Sequence, residues 1–208
     1  MSITVDEIEV ADPPQAWSQA GFTVDADDVC RIGTVRVRLV GGKDGIAGWS
    51  LRGLTADDPL DGIPTTRSEA DPPEPARHPN GVTEIDHVVV LSPDLNRTVR
   101  ALTAIGVEPR RERDGELGGR PIRQVFFRLG AVIVEVVGAP DTTGAGPATL
   151  WGITYTVADI DATAALLGDR TTPVKPAVQP GRRITTLHHR AFGMSVRTAL
   201  ISAPILGG

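Results

Sequence analysis

The sequence predicts an α+β fold that is assembled from repeated β-α-β-β-β modules. One run, residues 83–140, contains a β-rich strand, a helix and three further strands in that order. The same order of elements returns in residues 148–204, and a looser copy occupies residues 1–54. Repetition of one supersecondary unit is the observation that defines this fold class.

The module at residues 83–140 has the clearest local signals. TEIDHVVVLS is a β-branched run, which is typical of a strand. Ser92–Asp94 then predicts a helix start, with Ser92 as N-cap, a proline in the first turn and an acid behind it. Apolar residues follow at helical spacing, and Gly106 stands where a helix commonly ends. A glycine-rich connection and Gly130 separate the three strands that we expect next.

The module at residues 148–204 repeats this turn chemistry. LWGITYTVAD reads as its first strand, Asp159 as the N-cap of its helix, and Gly168 as the end of that helix. Aligning Asp94 with Asp159 and Gly130 with Gly193 places FFRLG beside HHRAFG with one inserted residue. The two modules are therefore predicted to share one architecture.

The N-terminal module is predicted to be a degenerate copy. ITVDEIEVA is its first strand, Asp12-Pro13 caps a short helix, and GIAGWSLRGL is its last strand. Residues 55–82 are rich in proline and poor in large apolar residues, so we expect a linker without a packed element. The HPNG sequence at 78–81 predicts a turn that could form the rim of a ligand site.

Composition excludes several function classes. The net charge is −5, and acidic residues are concentrated in the N-terminal third, which argues against a general nucleic-acid surface. The single cysteine, Cys30, allows neither an internal disulfide nor a cysteine-based zinc site. No signal peptide or membrane span is visible, so we expect a cytoplasmic protein without a membrane partner.

One short basic cluster interrupts this acidic background. Arg182, Arg183 and Arg190 surround His188 and His189. The cluster is too short to follow a nucleic-acid duplex. It could bind a small anionic ligand, or it could be a solvated loop and strand edge.

Two sequence segments carry a resemblance to a known family. TEIDHVVVLSPDLNRTVRAL and the later FFRLGAVIVEVVG resemble the first module of vicinal oxygen chelate proteins, the group of glyoxalases, bleomycin-resistance proteins and extradiol dioxygenases. The resemblance implies that modules 83–140 and 148–204 pair edge to edge into a curved sheet, a cup that binds a small molecule. The N-terminal module would cover its own sheet against this domain or against a second subunit, which makes a homodimer plausible.

The resemblance also implies a metal site. In catalytic members the first strand of a module supplies one ligand, commonly His, and the last strand another, commonly Glu. His87 and Glu135 stand at these two positions, amid apolar residues where a lone ionisable side chain would be costly. We therefore predict that they bind one divalent metal, Zn²⁺, Fe²⁺, Mn²⁺, Ni²⁺ or Co²⁺, with Glu135 also catalytic.

The other module weakens this prediction. The alignment places Gly152 and Thr198 at its two ligand positions, and neither residue type is a normal ligand for these metals. A missing ligand would have to come from elsewhere, and His188 and His189 are the candidates. Adjacent strand residues point to opposite faces, so at most one of them would enter the cup. His189 is the candidate general base, and the metal could be absent altogether.

The remaining site candidates are polar or aromatic residues near the predicted cup. Arg128 and its aligned counterpart Arg190 could bind a carboxylate or phosphate bidentately. Alternatively, they could be outward-facing charges on the solvent-exposed side of the sheet. Trp151, beside Gly152, is expected to pack or stack. The predicted substrate-binding residues are Gln124, Arg128, Trp151, His188 and Thr198.

Two functions remain open on the sequence. The first is a metal-assisted lyase, isomerase or dioxygenase acting on a small oxygenated metabolite. The second is a metal-free small-molecule-binding protein that resembles the bleomycin-resistance branch, for which Gly152 and Thr198 are the support. A purely structural or regulatory module is the third and weakest alternative.

Overall fold

A computed structural model describes residues 2–42 and 45–204, which form two β-sheets and three α-helices. The N-terminal elements are β1 (Thr4–Val10), α1 (Pro14–Gln19), β2 (Val29–Ile32), β3 (Val35–Leu39), β4 (Ile46–Arg52) and β5 (Thr65–Ser68). The C-terminal elements are β6 (Val82–Leu91), α2 (Leu95–Ala104), β7 (Arg111–Leu117), β8 (Arg120–Leu129), β9 (Val132–Gly138), β10 (Thr149–Val157), α3 (Ile160–Leu167), β11 (Lys175–Pro176), β12 (Arg183–Thr186) and β13 (Arg197–Ser202). No helix in these described ranges is both long and apolar enough to cross a membrane.

The C-terminal modules form one curled, eight-stranded mixed sheet with the order β11-β12-β13-β10-β6-β9-β8-β7. The predicted α+β class and the edge-to-edge pairing of the two modules are confirmed. Helix α2 packs on β9 and α3 on β12 and β13, so both helices cover the same, convex side. The opposite side, which carries the partly exposed His87 and Glu135, is called the open face below.

The two modules meet at the antiparallel pair β6–β10. His87 lies opposite Thr154, and Val89 lies opposite Gly152. The ladder is interrupted in both strands, because Trp151 of β10 and Asp86 and Thr83 of β6 are extra residues without a partner. Each interruption is a β-bulge, which re-aims the side chain of the extra residue.

The N-terminal sheet repeats the same plan in reduced form. Its order is β2-β3-β1-β4-β5, with β1 parallel to β3 and antiparallel to β4. These relations match β8-β9-β6-β10-β13, and the β1–β4 ladder has bulges at Asp6 and Ala47 that are equivalent to those at Asp86 and Trp151. The GIAGWSLRGL segment, expected as the last strand of the first module, therefore pairs as the first strand of a shortened second module.

The proline-rich segment is packed, which corrects the expectation of a linker without packed elements. It contains β5, which extends the N-terminal sheet, and the buried side chains of Leu60 and Ile63. Asp61 accepts hydrogen bonds from Arg97 and Thr98 of α2. Proline lacks the N–H donor that a central strand needs, so a proline-rich segment is not expected to form a strand. A strand is possible here because β5 lies at a sheet edge and contains no proline between Thr65 and Ser68.

The two sheets share a single hydrophobic core. At its centre the fully buried Tyr155 of β10 contacts Phe22 and Trp17 of the N-terminal half, with ring centroids 5.3 and 6.3 Å apart. The N-terminal module thus covers its apolar face against its own chain. An uncovered face was the reason for expecting a homodimer, and that reason is removed.

The helix termini follow the predicted chemistry with two differences. Asp159 caps α3, and Gly168 ends it with φ +58°. Helix α2 is capped by Asp94, whose carboxylate accepts from Arg97 N, rather than by Ser92, whose hydroxyl bonds to Thr98. Asp12 does not cap α1 either.

Asp12 instead joins the two halves of the molecule. Its carboxylate is 1% exposed and accepts from Trp17 Nε1 at 2.9 Å and from Ser195 N at 2.7 Å. The hydroxyl of Ser195 also donates to Asp12 and accepts from Gly45 N. Buried donors of this kind have no access to water if the carboxylate is lost.

We expect Asp12→Ala to lower the free energy of unfolding by about 3 kcal/mol, because it leaves buried donors unsatisfied. Urea denaturation provides the measurement. Asp12→Asn keeps one acceptor oxygen and should lose less, and Glu9→Ala, at an exposed position of β1, is the matched control. A loss no greater for Asp12→Ala than for Glu9→Ala would contradict this role.

His78 is buried against the N-terminal module rather than placed at the rim of the cup. The HPNG turn is present, with Gly81 N donating to His78 O. The His78 ring accepts from Thr23 N at 3.0 Å and lies 3.2 Å from Arg31 O. Burial lowers the pKa of His78 below 6.5, despite the bond to the Arg31 carbonyl.

Stability should therefore fall as the pH drops below 6.5. The unfolded imidazole takes up a proton there before the folded one does, so acid favours the unfolded state by up to about 1.4 kcal/mol per pH unit. We expect urea denaturation between pH 7.5 and 5 to show this slope. For His78→Gln the free energy of unfolding should change less steeply with pH. An unchanged slope would assign the pH dependence to other groups.

Candidate functional site

A row of polar side chains crosses the open face of the eight-stranded sheet and includes both predicted metal ligands. The row is held by bonds between neighbours and is called the polar row below. Its members are Arg182, Asp86, His87, Glu135, Gln124 and Arg113.

The bulge in β6 brings Asp86 and His87 to the same face. Successive residues of a regular strand point to opposite faces, but Asp86 Oδ2 lies 2.8 Å from His87 Nδ1. The other oxygen of Asp86 lies 2.7 Å from Arg182 Nη1. Burial by itself would raise the pKa of Asp86, but the bonds from His87 and Arg182 outweigh it and hold that pKa below its ordinary value.

His87 and Glu135 face each other on neighbouring strands. His87 Nε2 lies 3.7 Å from Glu135 Oε2, and the two side chains are 15% and 13% exposed. Glu135 also accepts a hydrogen bond from the Gln124 amide, which in turn accepts from Arg113 Nε at 2.7 Å. The structure thus brings three predicted site residues, His87, Glu135 and Gln124, into one network.

Strand register identifies the counterparts of these two residues in the second module. Val89 pairs with Glu135 in the parallel ladder β6–β9, and the equivalent parallel ladder β10–β13 pairs Thr154 with Ala199. The counterpart of Glu135 is therefore Ala199. The predicted counterpart, Thr198, is one residue out of register. Its side chain is buried and donates to Val196 O, and Thr198 also lines the cavity described below, so its predicted substrate contact stays a prediction.

The counterpart of His87 is Gly152, as the alignment predicted. A Cβ atom at Gly152 would lie 3.0 Å from Arg197 O and 3.3 Å from Arg197 Cβ. The backbone of β13 therefore occupies the space that a side chain would need. A residue larger than glycine requires β10 and β13 to move apart.

The N-terminal sheet carries an ion pair at the positions equivalent to His87 and Glu135. Glu7 follows the bulged Asp6 as His87 follows Asp86, and Arg38 stands at the register position of Glu135. These two side chains form an ion pair, with Arg38 Nη2 2.9 Å from Glu7 Oε2. Gly48 corresponds to Gly152 and is also crowded, because a Cβ atom there would lie 2.8 Å from Pro64 O.

His188 and His189, the two histidines of the predicted cluster, lie in different environments. The expectation of a regular strand here is wrong, because a short 3-10 helix, His189–Phe192, begins at the second histidine. His188 is exposed and its Nδ1 lies 3.1 Å from Asp169 O, away from the polar row. His189 lines a cavity on the open face, and burial together with Arg190 and Arg197 lowers its pKa below 6.5.

That cavity, called the Trp151 cavity, has a volume of about 210 Å³. Its wall includes Val89, Trp151, Ile153, His189, Arg197 and Ala199. The Trp151 ring is 42% exposed and carries the Arg197 guanidinium 4.8 Å from its centroid. Gly152 and Ala199 contribute no large side chain to it, so the cavity occupies the half of the cup that lacks the ligand residues.

The three remaining arginines of the sequence predictions lie outside the cavity. Arg128 shares the open face with Gln124 but is exposed beside the β8–β9 turn, where its Nε donates to Gly130 O. Arg190 belongs to the 3-10 helix, so it is not the structural counterpart of Arg128. Arg183 pairs with the exposed Asp161.

The side chains present do not fit a divalent metal site of the kind that the sequence suggested. In residues 2–42 and 45–204, no group of three or more His, Cys, Asp or Glu side chains is placed to bind one ion. His87 and Glu135 offer two ligand atoms, while His87 Nδ1 and Glu135 Oε1 are already engaged. Two protein ligands fall short of the three or four that hold zinc in proteins.

Sequence reasoning missed Asp86, Arg113 and Arg197, and it treated Arg182 only as part of a surface cluster. One signal for Asp86 was available, because VDEIEVADP and IDHVVVLSP align with Asp6 beside Asp86. Arg182 reaches Asp86 from the β11–β12 connection. It also donates to Ser202 O, and its Nη2 is buried without a partner among the described residues.

We expect Arg182→Met to lower the free energy of unfolding by about 3 kcal/mol, because it leaves the buried Asp86 carboxylate without its guanidinium. Asp86→Asn in the same chain should restore most of the loss, and urea denaturation measures both. Arg183→Met, in the neighbouring exposed ion pair, should change stability little. Equal effects of the two arginine changes would contradict a buried ion pair.

Comparison with known proteins agrees with this architecture. A family profile described as the glyoxalase/bleomycin resistance protein/dioxygenase superfamily matches residues 86–192, just over half of the chain. A triple mutant of 4-hydroxymandelate synthase from Streptomyces coelicolor has a TM-score of 0.67 at 14% identity, covering 100% of this chain and 94% of that one. Catechol 2,3-dioxygenase has a TM-score of 0.63 at 12% identity, with coverages of 99% and 94%.

A variant of homoprotocatechuate 2,3-dioxygenase from B. fuscum has a TM-score of 0.61 at 12% identity, covering 98% of this chain and 73% of that one. Comparison with curated protein sequences gives no match. The structural likenesses concern the fold alone at these identities, whereas the profile match identifies the family. The chain belongs to the glyoxalase/bleomycin resistance protein/dioxygenase superfamily.

Proposed function

We propose that this protein binds a small organic molecule in its C-terminal cup without a divalent metal ion. The observation that carries the proposal is the register of the second module, in which Gly152 and Ala199 are the counterparts of His87 and Glu135. Half of a family-type ligand set is therefore missing. A histidine at Gly152 would also require the β13 backbone at Arg197 to shift, because its Cβ atom would lie 3.0 Å from Arg197 O.

The bonds within the polar row support the same proposal. Asp86 and Glu135 are the carboxylates of the row, and each is stabilised by donors from the protein. A buried carboxylate without such donors would favour a bound cation. Here the Arg182 guanidinium supplies the counter-charge to Asp86, and the neutral Gln124 amide donates a hydrogen bond to Glu135.

A second candidate is a metal-assisted lyase, isomerase or dioxygenase, and one observation favours it. The bond from His87 Nδ1 to a carboxylate leaves Nε2 directed toward Glu135, and such a carboxylate partner is typical of metal-bound histidines. In that function Glu135 and His189 would be the catalytic candidates. A third ligand would still be needed, and the described residues place none beside His87.

Metal analysis distinguishes the two functions. We expect protein purified without chelator to contain well below one equivalent of metal by mass spectrometry. Added Zn²⁺, Fe²⁺, Mn²⁺, Ni²⁺ or Co²⁺ should not raise its melting temperature, because an ion that binds only the folded state would stabilise it.

His87→Ala is the matched variant for this experiment. If the wild type holds no metal, the two proteins should respond alike to every added ion. Stoichiometric metal in the wild type that His87→Ala loses would refute the metal-free function and favour the enzyme.

A further inference from the structure

We propose that the Trp151 cavity selects a small planar anion, an aromatic or conjugated carboxylate, which is held by Arg197 and stacked on Trp151. This inference rests on the proposed function and names the ligand class of that site. Four properties of the cavity support it: its size, its lining, its charge and its exposed aromatic ring.

The size of the cavity limits the ligand to about one ring. Its volume is about 210 Å³. A cavity of about 150 Å³ can hold a benzene molecule, whereas drug-sized ligands occupy pockets of roughly 300–1,000 Å³. Val89, Ile153 and Ala199 line the Trp151 cavity together with three threonines, so the lining suits an apolar ring that carries one polar group.

The charge around the cavity favours an anion. The residues that line it include Arg197 and His189 but no Asp or Glu. Asp86 and Glu135, the nearby carboxylates of the polar row, are already bonded to protein donors. Arg197 forms no ion pair with any residue in the described ranges 2–42 and 45–204, so its charge remains uncompensated by the protein.

The geometry of Arg197 and Trp151 favours a planar carboxylate. The guanidinium carbon lies 4.8 Å from the Trp151 ring centroid, within the range of a cation–π contact. A guanidinium carries its N–H donors in its own plane, where they can bind a carboxylate bidentately. Trp151 is 42% exposed and can stack a flat ligand whose carboxylate reaches that plane.

The bulge and the glycine explain why this site exists in only one half of the cup. In β6 the bulged residue is Asp86 and the next is His87, which fill the open face with the polar row. In β10 the bulged residue is Trp151 and the next is Gly152, which leaves a ring beside empty volume. The same backbone irregularity thus supports a charged network in one module and a ligand cavity in the other.

Tryptophan fluorescence with matched probes tests the inference on the full chain. Trp17 and Trp49 are buried in the N-terminal half, so Trp151 is the tryptophan that a cavity ligand can contact. The probes are benzoate, the neutral benzamide and the cationic benzylamine. We expect saturable quenching by benzoate, weaker quenching by benzamide, and none by benzylamine.

Two arginine variants separate a specific contact from general charge. Arg197→Gln should weaken benzoate binding about tenfold or more, to the level of benzamide, because it removes a charge-assisted bond. Arg190→Gln removes the same charge from an exposed position beside the cavity and should leave benzoate affinity within about twofold. Equal affinity for benzoate and benzamide, or equal effects of the two variants, would overturn the inference.

A cavity-filling variant keeps this result separate from the proposed function. Ala199→Leu should abolish quenching by benzoate and benzamide alike, since it occupies the cavity while retaining Trp151. If benzamide binds as well as benzoate and Ala199→Leu blocks both, the anion selectivity is refuted and the metal-free ligand site stands. Stoichiometric metal at His87 would refute the proposed function whichever probe binds.

Discussion

The antiparallel ladder between β6 and β10 joins the two C-terminal modules, and it contains bulges at Asp86 in β6 and at Trp151 in β10. A bulge turns the side chain of its extra residue onto the face of the next one. Asp86 therefore lies beside His87, and Trp151 lies beside Gly152, on the open face. The polar row, the Trp151 cavity and the relation between the modules all depend on this ladder.

The N-terminal sheet contains the same ladder with bulges at Asp6 and Ala47. Its equivalent positions carry an ion pair, Glu7 with Arg38, where the C-terminal sheet has His87 and Glu135. Four modules thus share one plan, and their first-strand positions carry Glu7, Gly48, His87 and Gly152. Both glycines at this position, Gly48 and Gly152, lie close to a carbonyl of the neighbouring parallel strand. Close backbone approach accounts for glycine at both sites.

Charge balance explains how the C-terminal sheet can carry buried carboxylates without a fitted metal site. Desolvation penalises a carboxylate unless donors or cations replace water. Arg182 supplies a guanidinium to Asp86, while the Gln124 amide, itself bonded to Arg113, donates to Glu135. The other half of the cup has no such carboxylates. Its exposed arginine and indole are arranged around free volume, which is the arrangement that a small anionic ligand can use.

Local patterns were sufficient to predict much of this protein. The β-branched runs, the acids at Asp94 and Asp159 and the glycines after each helix predicted the modules, because strand alternation, capping and left-handed turns depend on neighbours in sequence. The same reasoning placed His87, Glu135 and Gln124 near one another. Only the tertiary structure decided that Ala199, rather than Thr198, is the counterpart of Glu135, since one inserted residue changes register without changing the local pattern. It also decided that Arg182 reaches Asp86 and that β4 begins a shortened module. Those facts depend on which strands pair and where they bulge, and pairing between distant segments is set by the packing of the whole chain.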